Sequence, residues 1–356
     1  MKTLYLHIGT PKTATTSIQN FCWDNREELK KQGYCYPLFE YRFSNVQKYR
    51  NAHFLVGRIK DENGNRQYDQ EQEIVREGIG KILSLFEKYD NIILSDEGIW
   101  NRGFFQDTNC WERLKEGFKG KEIAVKVIVY LRRQDDFLFS WWNQQVKEGM
   151  LASSVLSWGE VVEKLPYIKL DYYDILTQIS AYVGKENITV RLFDKRHFAG
   201  GTIQSDFLET LHLKYTEDYR VLDSMQNPSL TKNNIEIKRI LNMMPDLSKQ
   251  KNDYFRKVLT QLSEENPEEG RNSMFSEEEN KRFLEQFKKG NAKIVQEYLG
   301  KDGDLFDDTY LTGGKWQIDN EQMIRDMIRF FGTTVSYLME ENRALKEKDK
   351  ALKEQL

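Results

Sequence analysis

The chain has 356 residues, of which 53 are Lys or Arg and 56 are Asp or Glu, and its formal net charge is −3. A dedicated DNA-binding protein carries a clear basic excess, so this balance argues against a nucleic-acid polymer as partner. Hydrophobic residues make up 39% of the sequence, which is enough for a folded core and excludes wholesale disorder.

The three cysteines, Cys22, Cys35 and Cys110, are too few and too scattered for a disulfide framework or a zinc site. Reduced thiols of this kind predict a cytoplasmic protein. No apolar run approaches the ~18–20 residues that a membrane span needs. Because a strand pattern begins at residue 3, we also expect no signal peptide.

Strand and helix patterns alternate through the first part of the chain. Strands or short extended pieces are predicted, in chain order, at residues 4–8, 34–37, 91–94, 124–131 and 188–193. Helices are predicted at residues 15–32, 73–88, 111–118, 135–147 and 203–211. Residues 39–72 are polar and irregular and are expected to form a long surface excursion.

Such alternation predicts an α/β fold, a three-layer parallel sheet covered by helices on both faces. Beyond residue 225 only helical periodicity is found. The predicted organisation is one domain over residues 1–300, with an α/β core at about 1–215 and a helical annex at about 225–300. A C-terminal helix at residues 320–356 follows it.

That C-terminal helix carries a short heptad pattern, with leucines seven residues apart and mixed apolar and polar partner positions. The residues concerned are Leu338, Leu345, Leu352, Val335, Asn342, Asp349 and Leu356. The pattern is compatible with a short coiled coil that pairs chains into a homo-oligomer, and equally with a solvated terminal helix.

The turn between the first strand and the first helix reads Gly9-Thr10-Pro11-Lys12-Thr13-Ala14-Thr15-Thr16-Ser17. A strand, a turn of small residues and a helix N-terminus make a phosphate cradle, because the first N–H groups of a helix lack partners within it and its dipole favours an anion. Hydroxyl donors and a mobile lysine add to the cradle. The core is therefore predicted to be P-loop-like and to bind a nucleotide.

The same turn does not match the pattern GxxxxGK[ST] of nucleotide hydrolases. Counted from Gly9, the second glycine falls on Ala14 and the lysine on Thr15, whereas the lysine of this chain is Lys12. The lysine and Mg²⁺-binding hydroxyl of those enzymes therefore have no counterpart in the turn. An ordinary turn whose threonines cap a helix is the alternative, although capping alone does not account for Pro-Lys.

The segment PKTATTS resembles the 5′-phosphosulfate loop, PK[ST]GTT, of sulfotransferases that use 3′-phosphoadenosine 5′-phosphosulfate (PAPS). The departure is Ala14, where the family usually has glycine, and we expect its one extra methyl group to be compatible with helical geometry at that position. The resemblance implies that the loop binds the cofactor through Pro11, Lys12, Thr13, Ala14, Thr15, Thr16 and Ser17.

The family also has a 3′-phosphate motif, an arginine at a strand end followed eight residues later by a serine. Arg132 and Ser140 have this spacing here, and such a pair can converge on one phosphate at the ligand-binding edge of a parallel sheet. The doubled arginine leaves Arg133 as a substitute for Arg132. Arg271, in Gly270-Arg271-Asn272-Ser273, resembles a residue of the family's later basic loop.

The family mechanism implies that Lys12 stabilises charge on the leaving bisphosphate and that a base takes the acceptor's proton. It requires no metal. Glu97 is our first choice of base, because it follows the strand at 91–94 and shares one side of an extended segment with Ser95, which can orient it. His53 and Glu40, both in the irregular segment, are the competing candidates, and Glu97 can also simply begin a helix.

The predicted function is thus sulfuryl transfer from PAPS to an acceptor hydroxyl. Analogy with bacterial members of the family favours a carbohydrate or a glycolipid as acceptor. Two alternatives remain at this stage: a P-loop kinase of a small molecule, and a non-catalytic coiled-coil adaptor with a sulfotransferase-like core.

Overall fold

The computed structural model describes residues 2–40, 43, 46–104, 109–164, 169–221, 229–266, 274–307 and 315–355. The strands in these residues are β1 (Lys2–His7), β2 (Tyr34–Cys35), β3 (Asn91–Ser95), β4 (Ile123–Leu131) and β5 (Ile188–Leu192). The helices are α1 (Thr15–Asp24), α2 (Arg26–Lys31), α3 (Tyr68–Leu85), α4 (Gly98–Arg102), α5 (Cys110–Gly117), α6 (Gln134–Glu148), α7 (Trp158–Glu163), α8 (Tyr172–Val183), α9 (Ile203–Thr210), α10 (Lys232–Leu241), α11 (Lys249–Glu265), α12 (Glu277–Tyr298) and α13 (Asn320–Gln355).

Backbone contacts divide the chain into two compact units. The first comprises Met1–Phe137, Ile168–Met225 and Leu284–Asp308, and the second comprises Leu138–Tyr167, Gln226–Phe283 and Thr309–Leu356. All five strands belong to the first unit, whereas the described elements of the second are helical.

The sheet of the first unit has the order β2-β3-β1-β4-β5, and every neighbouring pair is parallel. His7, the last residue of β1, is paired with Ser95 of β3 on one side and with Ile128 of β4 on the other. The carboxyl ends of β1, β3 and β4 therefore lie at the same edge, which is where open parallel sheets bind ligands.

Both faces of this sheet are covered by helices. Leu4 and Leu6 of β1 lie in one apolar cluster with side chains of α3, α5 and α8, whereas Tyr5 lies in a second cluster with side chains of α1 and α9. This alternation follows from the two-residue period of a strand. The predicted three-layer parallel α/β fold is confirmed.

The single helix predicted at residues 15–32 is in fact two helices, α1 and α2, with a break at Asn25. The Asn25 side chain donates hydrogen bonds to the carbonyls of Phe21 (2.9 Å) and Arg220 (2.8 Å), and accepts one from the Arg220 N–H (2.7 Å). An asparagine that bonds to backbone groups competes with the helix, which explains the break.

The prediction of a surface excursion at residues 39–72 is wrong for its central part. Residues 51–57 are buried, and Ala52, Phe54, Leu55 and Val56 belong to the core under one face of the sheet. Helix α3 also begins inside the range predicted to be irregular. Helix α8, which precedes β5, was not predicted, although its buried residues Tyr172, Ile175, Leu176 and Ile179 have helical spacing.

The second unit has its own packed interior. The indole N–H of Trp142 donates to the Leu156 carbonyl (2.8 Å), and the Trp158 ring lies edge-on to Trp142 and Phe275. Asn143 exchanges two hydrogen bonds with the backbone of Leu230. Among the described residues, no helix has the length and apolar character needed to cross a lipid bilayer.

Candidate active site

The loop between β1 and α1 is fixed to the end of β4 by backbone hydrogen bonds. The Thr10 N–H donates to the Tyr130 carbonyl (2.9 Å), and the Tyr130 N–H donates to the Gly9 carbonyl (2.6 Å). Thr13 Oγ1 donates to the Thr10 carbonyl (2.5 Å), and both threonines are fully buried. The loop is therefore held in one shape by contacts of its own and of the neighbouring strand.

Three loop residues adopt left-handed backbone conformations, with φ of 96° at Gly9, 67° at Lys12 and 56° at Ala14. Ala14 is thus not helical, and our expectation of helical geometry there is wrong. A left-handed conformation costs an L-residue ~1–2 kcal/mol, which is the physical reason for a glycine at this position in the PAPS loop motif. Gly9 has a second constraint, because a Cβ there would lie 2.9 Å from the Glu97 Cβ.

The backbone N–H groups of residues 13–17 find no hydrogen-bond acceptor in the part of the chain that the structure describes. The hydroxyls expected to assist them are largely engaged elsewhere. Thr13 and Thr15 turn their hydroxyls toward the Thr10 carbonyl, and Ser17 Oγ accepts from Gln204 (3.0 Å). Thr16 is exposed, and Pro11 and Lys12 are half-buried. The cradle is therefore built chiefly from backbone donors.

Arg132 lies against this loop. Its guanidinium donates to the Lys12 carbonyl (3.2 Å), and its own carbonyl accepts from the Tyr172 hydroxyl (2.7 Å). The two basic residues predicted to hold opposite ends of one ligand are thus brought together at the carboxyl ends of β1 and β4.

Arg133 makes different contacts. Its guanidinium binds both oxygens of the Asp135 carboxylate, at 2.7 and 2.9 Å, and that carboxylate is 4% exposed. A bidentate pair of this kind occupies the donor face of the arginine. Of the two arginines left open by the sequence, Arg132 is the one beside the loop.

Two further predicted ligands are not brought to the loop by any described contact. Ser140 is a buried residue of α6 and belongs to the second unit. Arg271 lies outside the described residues. Their roles stay predictions.

A cluster of charged side chains stands beside the loop, centred on the fully buried Asp96. Arg50 donates to both oxygens of Asp96, at 3.0 and 2.7 Å, and His53 Nδ1 lies 2.8 Å from the Asp96 carboxylate. Burial raises the pKa of Asp96, but hydrogen bonds from His53 and the charge of Arg50 outweigh it and hold that pKa well below its usual range. Asp96 is therefore an anion that fixes its two partners.

Glu97 occupies the point where this cluster meets the loop. One carboxylate oxygen lies 3.0 Å from Arg50, the other accepts from Gln19 (3.3 Å), and the side chain is 23% exposed. Burial, followed by the charge of Asp96, raises the pKa of Glu97. We expected Ser95 to orient Glu97, but among the described residues the Ser95 hydroxyl bonds to His7 and Gln19 and not to Glu97. Gln19 contacts both Ser95 and Glu97, and its amide also donates to Ser95 Oγ (3.2 Å).

The other titratable candidates differ in their surroundings. His53 is 5% exposed, and because a carboxylate can only accept, its Nδ1 is the donor to Asp96. Glu40 is exposed. His7 is fully buried and bonded through Nδ1 to Ser95 Oγ (2.9 Å), and burial lowers its pKa to about 3, so it stays neutral near pH 7.

Arg50, Asp96 and Gln19 are the site residues that sequence reasoning missed. Arg50 lies in the segment taken as a surface excursion, and Gln19 is a polar residue inside an amphipathic helix. Asp96, which precedes the candidate base Glu97, was assigned no role. Short-range patterns give no signal for a cluster whose members lie as far apart in the sequence as residues 19 and 97.

One group of possible metal ligands occurs among the described residues, formed by Asp194, His197 and Asp307. Arg196 already pairs with the carboxylates of Asp194 and Asp307. A cation there would meet the positive charge of Arg196, and the group includes none of the loop or cluster residues.

Comparisons with known proteins give partial similarities. No protein-family model matches the sequence. An uncharacterized protein of Archaeoglobus fulgidus is 34% identical over 179 residues, which is 49% of this chain, and the chain spans only 46% of that protein. A solved structure, a sulfotransferase from Alicyclobacillus acidocaldarius, aligns with 63% of this chain and 86% of its own, at a TM-score of 0.36 and 13% identity. The TM-score and the identity of this structural match are too low to assign a family. The sequence match to the archaeal protein covers too little of either chain to assign one.

Proposed function

We propose that this chain is a sulfotransferase that moves the sulfuryl group of PAPS to a hydroxyl of a carbohydrate or glycolipid acceptor. The observation that carries the proposal is the hydrogen bond from Arg132 to the Lys12 carbonyl. The Arg132 guanidinium thereby lies against the backbone of Lys12, in the same loop as the N–H groups of residues 13–17, which have no acceptor among the described residues. That combination suits a ligand with two separate anionic groups on one nucleoside.

The donor's two ends call for different residues. The N–H groups of residues 13–17 and the positive end of α1 bind the 5′-phosphosulfate. Arg132 binds the 3′-phosphate, and the resemblance adds Ser140 and Arg271 as further ligands. This division explains why the loop lacks the lysine–hydroxyl pair that holds Mg²⁺ and a γ-phosphate in nucleotide hydrolases.

The chemical step needs one base and one stabilising cation. Glu97 takes the proton of the acceptor hydroxyl while the hydroxyl oxygen forms a bond to sulfur. The bond between sulfur and the bridging oxygen breaks, its electron pair leaves with the 5′-phosphate, and Lys12 stabilises the charge that develops there. Glu97 is preferred to His53 because it lies against Gly9 of the loop, whereas His53 bonds to Asp96.

Arg50 and Gln19 hold the Glu97 carboxylate from two sides, which fits a base that must be aimed at one oxygen atom. The raised pKa of Glu97 makes it a stronger base than an ordinary carboxylate once it is ionised. Activity should therefore rise with pH through the raised pKa of Glu97.

Calorimetric titration with adenosine 3′,5′-bisphosphate, the product of the donor, tests the proposal. The wild type should bind, and Lys12→Ala and Arg132→Ala should each weaken binding by ~10–100-fold, since a hydrogen bond to a charged group is worth ~1.5–3 kcal/mol. Lys121→Ala is the matched control, because Lys121 is exposed and far along the sequence from the loop. Absence of binding by the wild type would overturn the proposal.

Arg133 provides a control for the choice between the two adjacent arginines as ligand of the 3′-phosphate. Arg133→Ala removes a bidentate partner of the buried Asp135 and is expected to lower stability, yet to leave bisphosphate affinity within a few-fold of the wild type. Loss of binding in Arg133→Ala, with binding kept in Arg132→Ala, would exchange their assigned roles. The acceptor is sought with isotopically labelled PAPS and a panel of saccharides and glycolipids, with Lys12→Ala as the inactive reference.

A further inference from the structure

Among the described residues, helix α13 packs against the rest of the second unit with one of its faces. Phe330 is 2% exposed, the Tyr337 hydroxyl donates to Gln261 Oε1 (2.6 Å), and the Thr334 carbonyl accepts from the Tyr254 hydroxyl (3.2 Å). Nearer its start, the Asp326 carboxylate accepts from Asn233 (2.8 Å). Positions 326, 330, 334 and 337 form one stripe along a helix, which is the stripe that attaches α13 to its own unit.

A different stripe of the same helix carries large apolar side chains that are between 51% and 64% exposed. We call it the α13 seam, and it consists of Ile324, Ile328, Phe331, Val335, Leu338 and Leu345. Steps of four and three residues alternate along it, with Asn342 filling the remaining position between Leu338 and Leu345. The seam is thus a continuous heptad pattern, and it reaches two heptads further toward the N-terminus than the leucine repeat alone.

The seam runs from residue 324 to residue 345, which at 1.5 Å per residue is about 32 Å of helix. Asp349 occupies the next core position, and Leu345 is the last exposed apolar side chain that the structure describes on this stripe. Isolated apolar side chains are normal on a protein surface, but a contiguous stripe of this length marks a surface that is covered by something.

We propose that the α13 seam pairs with the same seam of a second copy of this chain, in a parallel two-stranded coiled coil. In heptad terms, Ile328 and Val335 lie at a positions, and Leu338 and Leu345 lie at d positions. Branching at Cβ in a positions combined with leucine in d positions favours two strands over three or four. Asn342 is a single polar residue at an a position, the device that fixes register and strand number.

Charge complementarity supports the same occupant. Glu341 lies at a g position and Lys346 at the e position of the following heptad, and both are exposed. In a parallel, in-register pair, each g side chain faces the next e side chain of the other helix. Glu341 of each copy therefore meets Lys346 of the other, twice per dimer, and Asn342 meets Asn342 of the second copy.

This inference is independent of the proposed function, since none of the seam residues belongs to the loop or to the charged cluster. Combined with the proposed function, it means that the chain transfers sulfuryl groups as a dimer. Two catalytic chains held by one terminal coiled coil would act on the same molecule when the acceptor is a polymer, because the second site is then always near the first.

The first test is the mass of the full chain in solution by sedimentation equilibrium. The wild type should have twice the 42.3 kDa mass of one chain. Leu338→Asp places a charge in the seam without disturbing the folded chain, because Leu338 is 53% exposed, and should give a monomer. Ala344→Asp, on the exposed opposite side of the same helix, is the matched control and should remain dimeric. A wild-type monomer at high micromolar concentration would overturn the proposal, as would a dimer that survives Leu338→Asp.

The second test concerns orientation. Asn342→Cys should form a covalent dimer on mild oxidation, because a parallel pair brings the two copies of position 342 together, while the three native cysteines are buried. Adding Leu338→Asp to it should abolish the cross-link. A dimer that depends on the seam but does not cross-link at position 342 would overturn the parallel arrangement. Binding of monomeric protein to anionic lipid vesicles, lost in Leu338→Asp, would assign the seam to a membrane surface instead.

Discussion

The loop at residues 9–17 and the charged cluster around Asp96 lie side by side, yet they are held in shape by different means. The loop consists of consecutive residues whose backbone bonds to itself and to the end of β4. The cluster consists of charged side chains from two separated segments, residues 50–53 and 96–97, joined by charge-assisted hydrogen bonds, and Gln19 from a third segment bonds to Glu97. The loop is suited to hold an anion rigidly. The cluster is suited to set the pKa and the orientation of the Glu97 carboxylate.

This difference has a consequence for mutagenesis. A change in the loop should act on ligand affinity, because the donors there are backbone groups and two cations. A change in the cluster should act on turnover or on folding, because its members contact each other more than they contact the loop.

Glu97→Gln should cause the largest change. The amide keeps the size of the side chain and can still contact Arg50 or Gln19, but it cannot take a proton, so turnover on the best acceptor should fall by ~10²–10⁴-fold. Bisphosphate affinity should stay within a few-fold of the wild type. His53→Asn, which retains a donor for Asp96, is the control and should keep most of the activity. The opposite result for the two variants would assign the base to His53.

Arg50→Met comes next. It leaves the buried Asp96 without its bidentate partner, and loss of one member of a buried ion pair costs ~3–5 kcal/mol of unfolding free energy. Chemical denaturation measures this loss. Arg66→Met is the matched control, because Arg66 likewise pairs with a buried carboxylate, that of Glu71. Both variants should lose stability, but only Arg50→Met should lower turnover per folded molecule. Equal turnover in the two would show that Arg50 does not position Glu97.

His7 should make stability depend on pH. Below pH 6.5 the unfolded chain binds a proton at this histidine that the folded chain, with a pKa of about 3, does not bind. Unfolding free energy should therefore fall as the pH drops, by about 2 kcal/mol between pH 7 and pH 5 from this residue. His7→Gln should remove that part of the slope. Glu97 acts in the opposite sense and Asp96 only at lower pH, so the difference between wild type and variant isolates His7. Parallel curves would contradict the assignment.

Ala14→Gly should have the smallest effect. It relieves the left-handed strain of ~1–2 kcal/mol but increases unfolded-state entropy by ~0.4–1 kcal/mol, so stability should be unchanged or slightly higher. Ala292→Gly, at an exposed interior position of α12, should instead cost ~1 kcal/mol. Thermal melts of both variants measure the contrast. Equal destabilisation would mean that Ala14 is not strained.

The sheet and the loop could be predicted from the sequence because their signals are local. The buried half of β4, residues 127–131, is a continuous apolar run, and the loop is recognised from nine consecutive residues. The left-handed conformation of Ala14 was missed because alanine rarely adopts it. The cluster was missed because nothing near Arg50 in the sequence indicates that its partner is Asp96, 46 residues away. The burial of residues 51–57 was missed although Phe54, Leu55 and Val56 form a short apolar run, because polar residues dominate the rest of the range 39–72.

The most direct test of the central claim is to compare three ligands on the wild-type protein by calorimetric titration: adenosine 3′,5′-bisphosphate, adenosine 5′-monophosphate and ATP with Mg²⁺. If Arg132 binds a 3′-phosphate beside the loop, the bisphosphate should bind tightest, and the monophosphate, which lacks that group, should bind ~10–100-fold more weakly. ATP with Mg²⁺ should bind more weakly than the bisphosphate, because the loop lacks the residues that hold the metal and the γ-phosphate. Tight binding of ATP with Mg²⁺ together with no binding of the bisphosphate would contradict the account and favour a kinase.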